Sequence, residues 1–418
     1  MFEQLFERSH ALTRQRTAPL ADERRRFVVH CFEQGMARST VRLTAELLIA
    51  VEKYLKLAER PNSLIDLPEI EDAGERWSRR KAVPPIRLCP RLSKQRFICQ
   101  AVRWLTFMER LQPACTPERP HEGEIIAFAD FMLRERGLSP VTIGLRCHMV
   151  RLFLDQLCGE GRSLHDVTVS EVDSILAARV NEGHYVRASV QTYASSLRSF
   201  FRFAEIRRWC KEGIAASIMA PRVFKQESLP SAPTWSEVQR LLGSMGSSTP
   251  SSIRDHAILM LLAVYGVRAG EVARLQLGDI NWEDESIVFM RSKGLGKHNF
   301  PLVQSVGHAI IRYLKEVRAP SLHREVFLTV RAPFRPLTAG TLWPVVGRRL
   351  RPVSTSIKHH GPHALRHACA TRLINEGLSL KEVGDHLGHR SLETTRIYAK
   401  VDLVRLRQVA SFDLGGLL

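Results

Sequence analysis

Residues 361–400 read GPHALRHACATRLINEGLSLKEVGDHLGHRSLETTRIYAK. The stretch contains an H-x-x-R step at His363 and Arg366, a histidine after Leu-Gly at His389, and Tyr398 after a Thr-Thr-Arg-Ile run. Residues three apart lie on one face of a helix, so His363 and Arg366 can reach a single ligand. Each motif alone also fits a simpler role: a solvated helix face, a buried histidine or a core aromatic residue. Together the motifs predict a helical segment that gathers guanidinium, imidazole and phenol groups at one site.

Two upstream motifs add cationic groups. YGVRAGEVARL contains Arg268 and Glu271, which could simply pair with each other on one helix face. RSKGLGKHNFPL contains Lys293 in a predicted hairpin turn, where a solvated lysine is the simpler interpretation, and Lys297 is the rival candidate. Neither motif is specific until it is considered with the C-terminal stretch.

These residue types suit the exchange of phosphodiester bonds through a tyrosyl nucleophile. The guanidinium groups of Arg268 and Arg366 can bind both non-bridging oxygens of a phosphodiester and stabilise the added charge of a pentacoordinate transition state. A lysine crowded by arginines can have a lowered pKa and protonate a leaving alkoxide. Tyr398 must lose its phenolic proton, and His363 with the arginines could supply a base and cationic surroundings. The set predicts a reaction that needs neither a metal ion nor a cofactor.

The ordered motifs VYGVRAGEVARLQLGDI, RSKGLGKHNFPL, GPHALRHACATRLINEG and LGHRSLETTRIYAKV resemble the tyrosine recombinase (phage integrase) family over residues 234–402. Upstream, residues 123–209 resemble the helical, SAM-like core-binding domain of that family more loosely. Four motifs in this order are far more specific than any one of them. The resemblance implies that the catalytic residues are Arg268, Lys293, His363, Arg366, His389 and Tyr398. It gives Glu271 a supporting role.

The resemblance also implies what the protein does and with what. Tyr398 would attack a scissile phosphate of double-stranded DNA, form a 3′-phosphotyrosyl link and release a 5′-hydroxyl that Lys293 protonates. A homotetramer on DNA, with accessory recombinases or DNA-bending proteins, would then integrate, excise or transpose a mobile element. Two other interpretations stay open: a type IB-like topoisomerase, which shares this chemistry, and a catalytically idle DNA-binding regulator.

The composition agrees with a polyanionic partner. Lysine and arginine number 61 against 43 acidic residues, giving a net charge of +18 and a pI near 10.0. The sequence contains no run of about 18 apolar residues, so we expect no membrane span. The N-terminus lacks the apolar core of a signal peptide, so we expect the protein in the cytoplasm, associated with the nucleoid. Eight cysteines form no C-x-x-C pair, which argues against a zinc site.

The patterning predicts a mainly α-helical chain with a small antiparallel β-sheet, at residues 279–303, in the catalytic domain. Expected domains are an N-terminal helical module that contacts DNA or protein (1–85), a helical core-binding domain (91–215), a linker (216–233) and the catalytic domain (234–418). After Tyr398, apolar residues at helical spacing pack either within the chain or, as in the family, on a neighbouring subunit.

A possible internal repeat lies in the first half of the chain. The segment RERGLSPVT at 134–142 resembles FEQGMARST at 32–40, with an offset of 102 residues. Each segment joins two helical patterns, which any helical hairpin would also do. If the repeat is real, two related helical modules precede the catalytic domain.

Overall fold

The computed structural model confirms a mainly α-helical protein with one small sheet. It describes the chain in these ranges: 1–79, 90–113, 120–157, 163–181, 186–222, 232–246, 248–291, 296–355, 357–389 and 395–401. Lys293 and the C-terminal tail lie outside the described residues. No helix in these ranges has both the length and the apolar character that crossing a membrane requires.

The N-terminal module consists of helices around one apolar cluster. Val28, Leu48 and Trp104 are among its fully buried residues. The helices are α1 (Phe2–Leu5), α2 (Ser9–Thr17), α3 (Ala21–Glu33), α4 (Arg38–Leu55), α5 (Leu67–Ser78) and α6 (Pro90–Phe107).

Helix α6 belongs to this first module. Its buried Phe97 and Leu105 pack into the N-terminal cluster, and the backbone of Ile65 pairs with that of Leu111 beyond the helix. Two compact units result: Met1–Gln112 belongs to one of them together with Ser228–Leu418, and Pro113–Glu227 forms the second. The core-binding domain over residues 91–215 stays a prediction, and apolar periodicity does not reveal that α6 packs against the helices before it.

The second unit has its own core, to which one helix contributes an aromatic stripe. Tyr193, Phe200, Phe201 and Phe203 are all buried. Its helices are α7 (Glu122–Arg134), α8 (Pro140–Leu157), α9 (Val169–Asn181), α10 (Arg187–Ile206) and α11 (Ile214–Ser217).

The C-terminal part surrounds the almost wholly buried helix α13, whose Ile258 and Leu262 have no exposed surface. The antiparallel sheet has the order β1-β2-β3, and Val288 pairs with Asn299. The helices are α12 (Trp235–Gly243), α13 (Pro250–Tyr265), α14 (Ala269–Arg274), α15 (Gln304–Glu316), α16 (Ala339–Leu350), α17 (Pro362–Asn375) and α18 (Leu380–Leu387). The strands are β1 (Ile280–Asn281), β2 (Ser286–Met290) and β3 (Lys297–Pro301), and a 3₁₀ helix spans Arg396–Val401.

Local sequence fixes the starts of several helices. Thr234 and Glu237 form a capping box at the start of α12: the hydroxyl of Thr234 accepts from the Glu237 amide, and the Glu237 carboxylate accepts from the Thr234 amide. Ser379 and Glu382 do the same for α18. These reciprocal bonds satisfy amides that have no partner inside the helix.

Candidate active site

The C-terminal end of α18 is the point where the candidate residues meet. The last carbonyls of a helix have no partner within it and form the negative end of the helix dipole. Here three guanidinium groups supply the missing donors, from Arg268, Arg291 and Arg366. The LGH motif therefore organises the site through its backbone, in addition to the histidine it carries.

Arg268 precedes α14 and is held from two sides. Its Nη1 donates to Glu271 Oε1 over 2.9 Å, and its Nη2 donates to the carbonyl of Gly388 over 3.1 Å. Its backbone amide also donates to Glu271 Oε2 over 2.8 Å. Arg268 does pair with Glu271, as its spacing suggested. The pair is not an isolated surface pair, because it orients the guanidinium of Arg268 toward α18.

Arg291, at the end of β2, was not among the residues selected from the sequence. It is buried and donates to Glu271 Oε2 over 3.1 Å, and to the carbonyls of Leu387 over 3.0 Å and His386 over 2.9 Å. Glu271, which is fully buried, therefore bridges two arginines. The available signal was a basic residue ending a strand beside the Lys293 turn, and sequence alone does not show that it is buried.

Arg366 is only 4% exposed and lies in the interior of α17. Its Nη1 donates to the carbonyl of Gly266 over 2.6 Å and its Nη2 to that of Leu387 over 2.8 Å. Burial, and then the charge of Arg268, lowers the pKa of Arg366 to about 10. The group stays cationic at neutral pH, so the site concentrates positive charge with one carboxylate, Glu271, in its midst.

Tyr398 lies in the 3₁₀ helix and is 2% exposed. Its hydroxyl is 2.7 Å from Nδ1 of His367, a residue that the sequence analysis did not select. Burial raises the pKa of Tyr398 to about 12, against a smaller lowering by Arg366. Burial, followed by the charges of His363 and Arg366, lowers the pKa of His367 to about 4. The phenol and the imidazole are therefore both neutral at neutral pH.

A positional signal could have identified His367. It follows Arg366 directly and lies four residues after His363, so the two imidazoles occupy neighbouring positions on α17. Their ring centroids are 6.5 Å apart. His363 itself is exposed at the start of α17, while Arg366 is buried one turn later.

His389 follows the left-handed Gly388 that ends α18. Its Nδ1 lies 2.8 Å from Oγ1 of the buried Thr395, three residues before Tyr398. Burial, followed by the charges of Arg366 and Arg268, lowers the pKa of His389 to about 4. The contact ties the histidine to the segment that carries the tyrosine.

Two lysines were the candidates for the general acid. Lys293 lies outside the described residues, so its role stays a prediction. The rival, Lys297, is exposed at the start of β3. The Arg291 amide donates to the Gly296 carbonyl over 2.9 Å, which joins the end of β2 to the start of β3.

Known proteins resemble this chain over much of its length. The phage integrase family model matches residues 234–404, and the model for the phage integrase N-terminal SAM-like domain matches residues 125–208. The tyrosine recombinase XerC of Oceanobacillus iheyensis is 31% identical over 68% of this chain and 93% of its own. The integrase/recombinase y4rF of Sinorhizobium fredii is 28% identical over 100% of this chain and 96% of its own. A crystal structure of a lambda integrase (75–356) dimer bound to a COC′ core site has a TM-score of 0.51 and 20% identity, and covers 66% of this chain and 94% of its own.

The chain belongs to the phage integrase family of tyrosine recombinases. It is a tyrosine site-specific recombinase, as the sequence motifs predicted. The names of its relatives do not favour the topoisomerase or the idle regulator.

Proposed function

We propose that Tyr398 cuts and rejoins strands of double-stranded DNA while Arg268 and Arg366 bind the scissile phosphate. The observation that carries this proposal is the convergence of these arginines on the carbonyls of Leu387 and Gly388, beside the segment that holds Tyr398. Guanidinium groups fixed before the reaction stabilise the transition state without the cost of reorganising them.

The chemical step conserves the number of phosphodiester-type bonds. The phenolic oxygen of Tyr398 bonds to phosphorus, the bond from phosphorus to O5′ breaks, and Lys293 donates a proton to the departing 5′-oxygen. The phenolic proton passes to a neighbouring base, for which His367 is already in hydrogen-bonding position. Attack by the 5′-hydroxyl of another strand on the phosphotyrosyl link reverses the step, so the ester energy is retained and ATP is not needed.

His363 and His389 would complete the phosphate site as hydrogen-bond donors. His389 is neutral at neutral pH, because its pKa is near 4, and one ring nitrogen then carries a proton to donate. Arg291 and Glu271 do not need to touch DNA in this scheme. They position Arg268 and the hairpin that carries Lys293.

Strand exchange between two duplexes suggests the assembly. Each tyrosine cuts one strand, so exchange of all four strands uses four active sites, which supports a homotetramer on DNA. We propose integration, excision or transposition of a mobile element as the outcome, with accessory recombinases or DNA-bending proteins as possible partners. The net positive charge of the chain supports binding to the DNA of the nucleoid, in the cytoplasm.

The primary test uses a nicked suicide substrate, in which the cut strand leaves a short fragment that diffuses away. Wild-type protein should accumulate a covalent protein–DNA adduct, and Tyr398→Phe should form none while still binding the DNA. An adduct that persists in Tyr398→Phe would remove Tyr398 from the nucleophile role. Relaxation of a supercoiled plasmid that lacks a recombination site would favour the topoisomerase alternative.

The general acid is tested with a substrate whose bridging 5′-oxygen is replaced by sulfur. Such a leaving group needs no proton, so Lys293→Ala should lose cleavage of normal DNA and regain it on the sulfur substrate. Lys297→Ala is the matched control on the same hairpin. Rescue of Lys297→Ala alone would transfer the role to Lys297.

A further inference from the structure

The N-terminal module repeats the architecture of the second unit helix by helix. Helices α7, α8 and α9 begin 101, 102 and 102 residues after α3, α4 and α5, and α10 follows in the place of α6. The order and nearly the lengths of the helices are preserved. The family's SAM-like model matches only the second set, at residues 125–208.

The backbone caps repeat at matching positions. Gly35 and Gly137, which are 102 residues apart, have φ angles of 74° and 57° and lie in the first loop of each module. Asp66 caps α5 by accepting from the Glu69 amide, and the Thr168 hydroxyl accepts from the Glu171 amide at the start of α9.

The chain leaves the fourth helix in the same way in both modules. Glu109 and Arg208 have φ angles of 57° and 59°. The next residue then donates back into its helix, Arg110 to Leu105 over 2.8 Å and Trp209 to Ala204 over 2.9 Å. Left-handed residues other than glycine are uncommon, so this match is a specific one.

The buried positions keep the same register. The cores share apolar pairs 102 residues apart, all buried, which are Leu48 and Val150, Val51 and Phe153, Leu55 and Leu157, Ile65 and Val167, and Ile70 and Val172. A hairpin alone would not reproduce the core beyond its own two helices. The repeat suggested by FEQGMARST and RERGLSPVT therefore extends through all four helices.

The charge also repeats. The third helices, α5 and α9, hold more acidic than basic residues, whereas the fourth helices are cationic. Helix α10 carries Arg187, Arg198 and Arg202 against one acidic residue. Helix α6 carries four basic residues, including the exposed Arg91 and Arg96, and no acidic residue.

We propose that residues 21–107 form a second SAM-like module, which binds a further segment of double-stranded DNA through the exposed face of α6. The proposal rests on the proposed function, since it assumes that DNA is the substrate. Exposed arginines without neighbouring acids on their own helix suit the backbone phosphates, so this module would add affinity and site length more than base recognition. The family match of the second module, together with the matched cationic helix, favours DNA over a protein partner.

The test compares two doubly substituted full-length proteins with the same loss of charge. Arg91→Gln/Arg96→Gln removes the exposed charges of α6. Arg42→Gln/Arg76→Gln removes arginines of the same module that already pair with Glu46 and Asp72. Both pairs are exposed, so thermal unfolding should be nearly unchanged in each.

We expect the α6 variant to reduce the slope of log affinity against log salt by up to about 2, close to 0.9 for each lost phosphate contact. Hydroxyl-radical footprints should lose an outer protected segment and keep the segment around the cleavage site. The control variant should keep the full slope and footprint. Cleavage of a short nicked substrate should be normal in both, because neither variant touches the residues around Tyr398.

An unchanged slope and footprint in the α6 variant would overturn the proposal and would point to a protein partner for this module. That result leaves the proposed function intact as long as the adduct forms on the short substrate. Absence of both DNA binding and the adduct in the wild-type protein would instead refute the proposed function itself.

Discussion

At the scale of single residues, the contact between Tyr398 and His367 describes the proposed nucleophile in the absence of DNA. The phenol has a pKa near 12 and the imidazole a pKa near 4, so the proton stays on the phenolic oxygen at neutral pH. The tyrosine is also 2% exposed and cannot meet a duplex without movement of its 3₁₀ helix. At neutral pH the phenol of Tyr398 is therefore neutral and shielded from solvent.

Substitution of His367 separates a structural role from a catalytic one. His367→Leu leaves the buried hydroxyl of Tyr398 without an acceptor and should reduce the free energy of unfolding by about 1–3 kcal/mol. His367→Asn keeps an oxygen acceptor near the position of Nδ1 and should unfold almost like wild type in urea. If His367 accepts the phenolic proton, both variants should form the covalent adduct roughly 10²–10⁴-fold more slowly.

The asparagine variant is the informative member of this pair. A stable His367→Asn protein that forms the adduct at the wild-type rate would limit His367 to holding the phenol. A pH–rate profile that keeps its acidic limb in this variant would lead to the same conclusion.

Acid should destabilise the fold through two half-buried histidines. His367 and His389 both have pKa values near 4 in the folded protein, lowered chiefly by burial, against about 6.5 in an unfolded chain. The unfolded state therefore binds more protons between these values, and the free energy of unfolding falls as the pH drops from about 6.5 to 4.

Each histidine can contribute at most about 1.4 kcal/mol per pH unit within that window. Urea unfolding at pH 7, 6 and 5 measures the effect, and the His367→Asn/His389→Asn protein serves as the control. Equal acid sensitivity in the control would assign the loss to other groups.

At the scale of elements, the left-handed glycines that end α13 and α18 let the motifs meet. Gly266 has a φ angle of 59°, and its carbonyl accepts from Arg366. An added Cβ would lie 2.7 Å from Cδ2 of Leu387 and 3.1 Å from Sγ of Cys369. The end of α13 thus approaches both α17 and α18 so closely that no side chain fits between them.

Gly266→Ala should therefore be costly. The left-handed conformation and the forced displacement of Leu387 together predict a loss of about 2–4 kcal/mol in the free energy of unfolding. The shift of the carbonyl bound by Arg366 should also slow adduct formation. Urea unfolding and the suicide-substrate assay measure the two effects.

Gly144→Ala is the matched control for this change. Gly144 lies within α8 in a helical conformation, and an added Cβ would meet no atom within 4 Å. Alanine is the better helix former by about 1 kcal/mol, so this variant should be as stable as wild type or more so. Equal destabilisation of both variants would contradict the role assigned to Gly266.

At the scale of the whole molecule, the charge of +18 predicts a binding reaction governed by phosphate contacts. With about six to ten contacts, the affinity for duplex DNA should fall by roughly 10³–10⁵ between 50 and 200 mM salt. Fluorescence anisotropy of labelled duplexes over a salt series measures this dependence. Arg42→Gln/Arg76→Gln should leave the slope unchanged, and an affinity insensitive to salt would contradict the phosphate-based interface.

Much of this protein follows from short-range patterns in its sequence. Bonds between residues three or four apart set the capping boxes of α12 and α18 and the pairing of Arg268 with Glu271, and these partners are visible in any window of a few residues. The order of the recombinase motifs likewise identified the family. The small sheet was predictable because a glycine-containing turn separates two apolar runs.

Only the tertiary structure decided which groups meet. Arg268, Arg291 and Arg366 reach the end of α18 across 120, 96 and 21 residues of chain. Tyr398 contacts His367, and not His363, across 31 residues of chain. Helix α6 packs against the helices that precede it. Such partners depend on how buried faces pack together, and the free energy of that packing is shared over the whole core, so no local pattern encodes it.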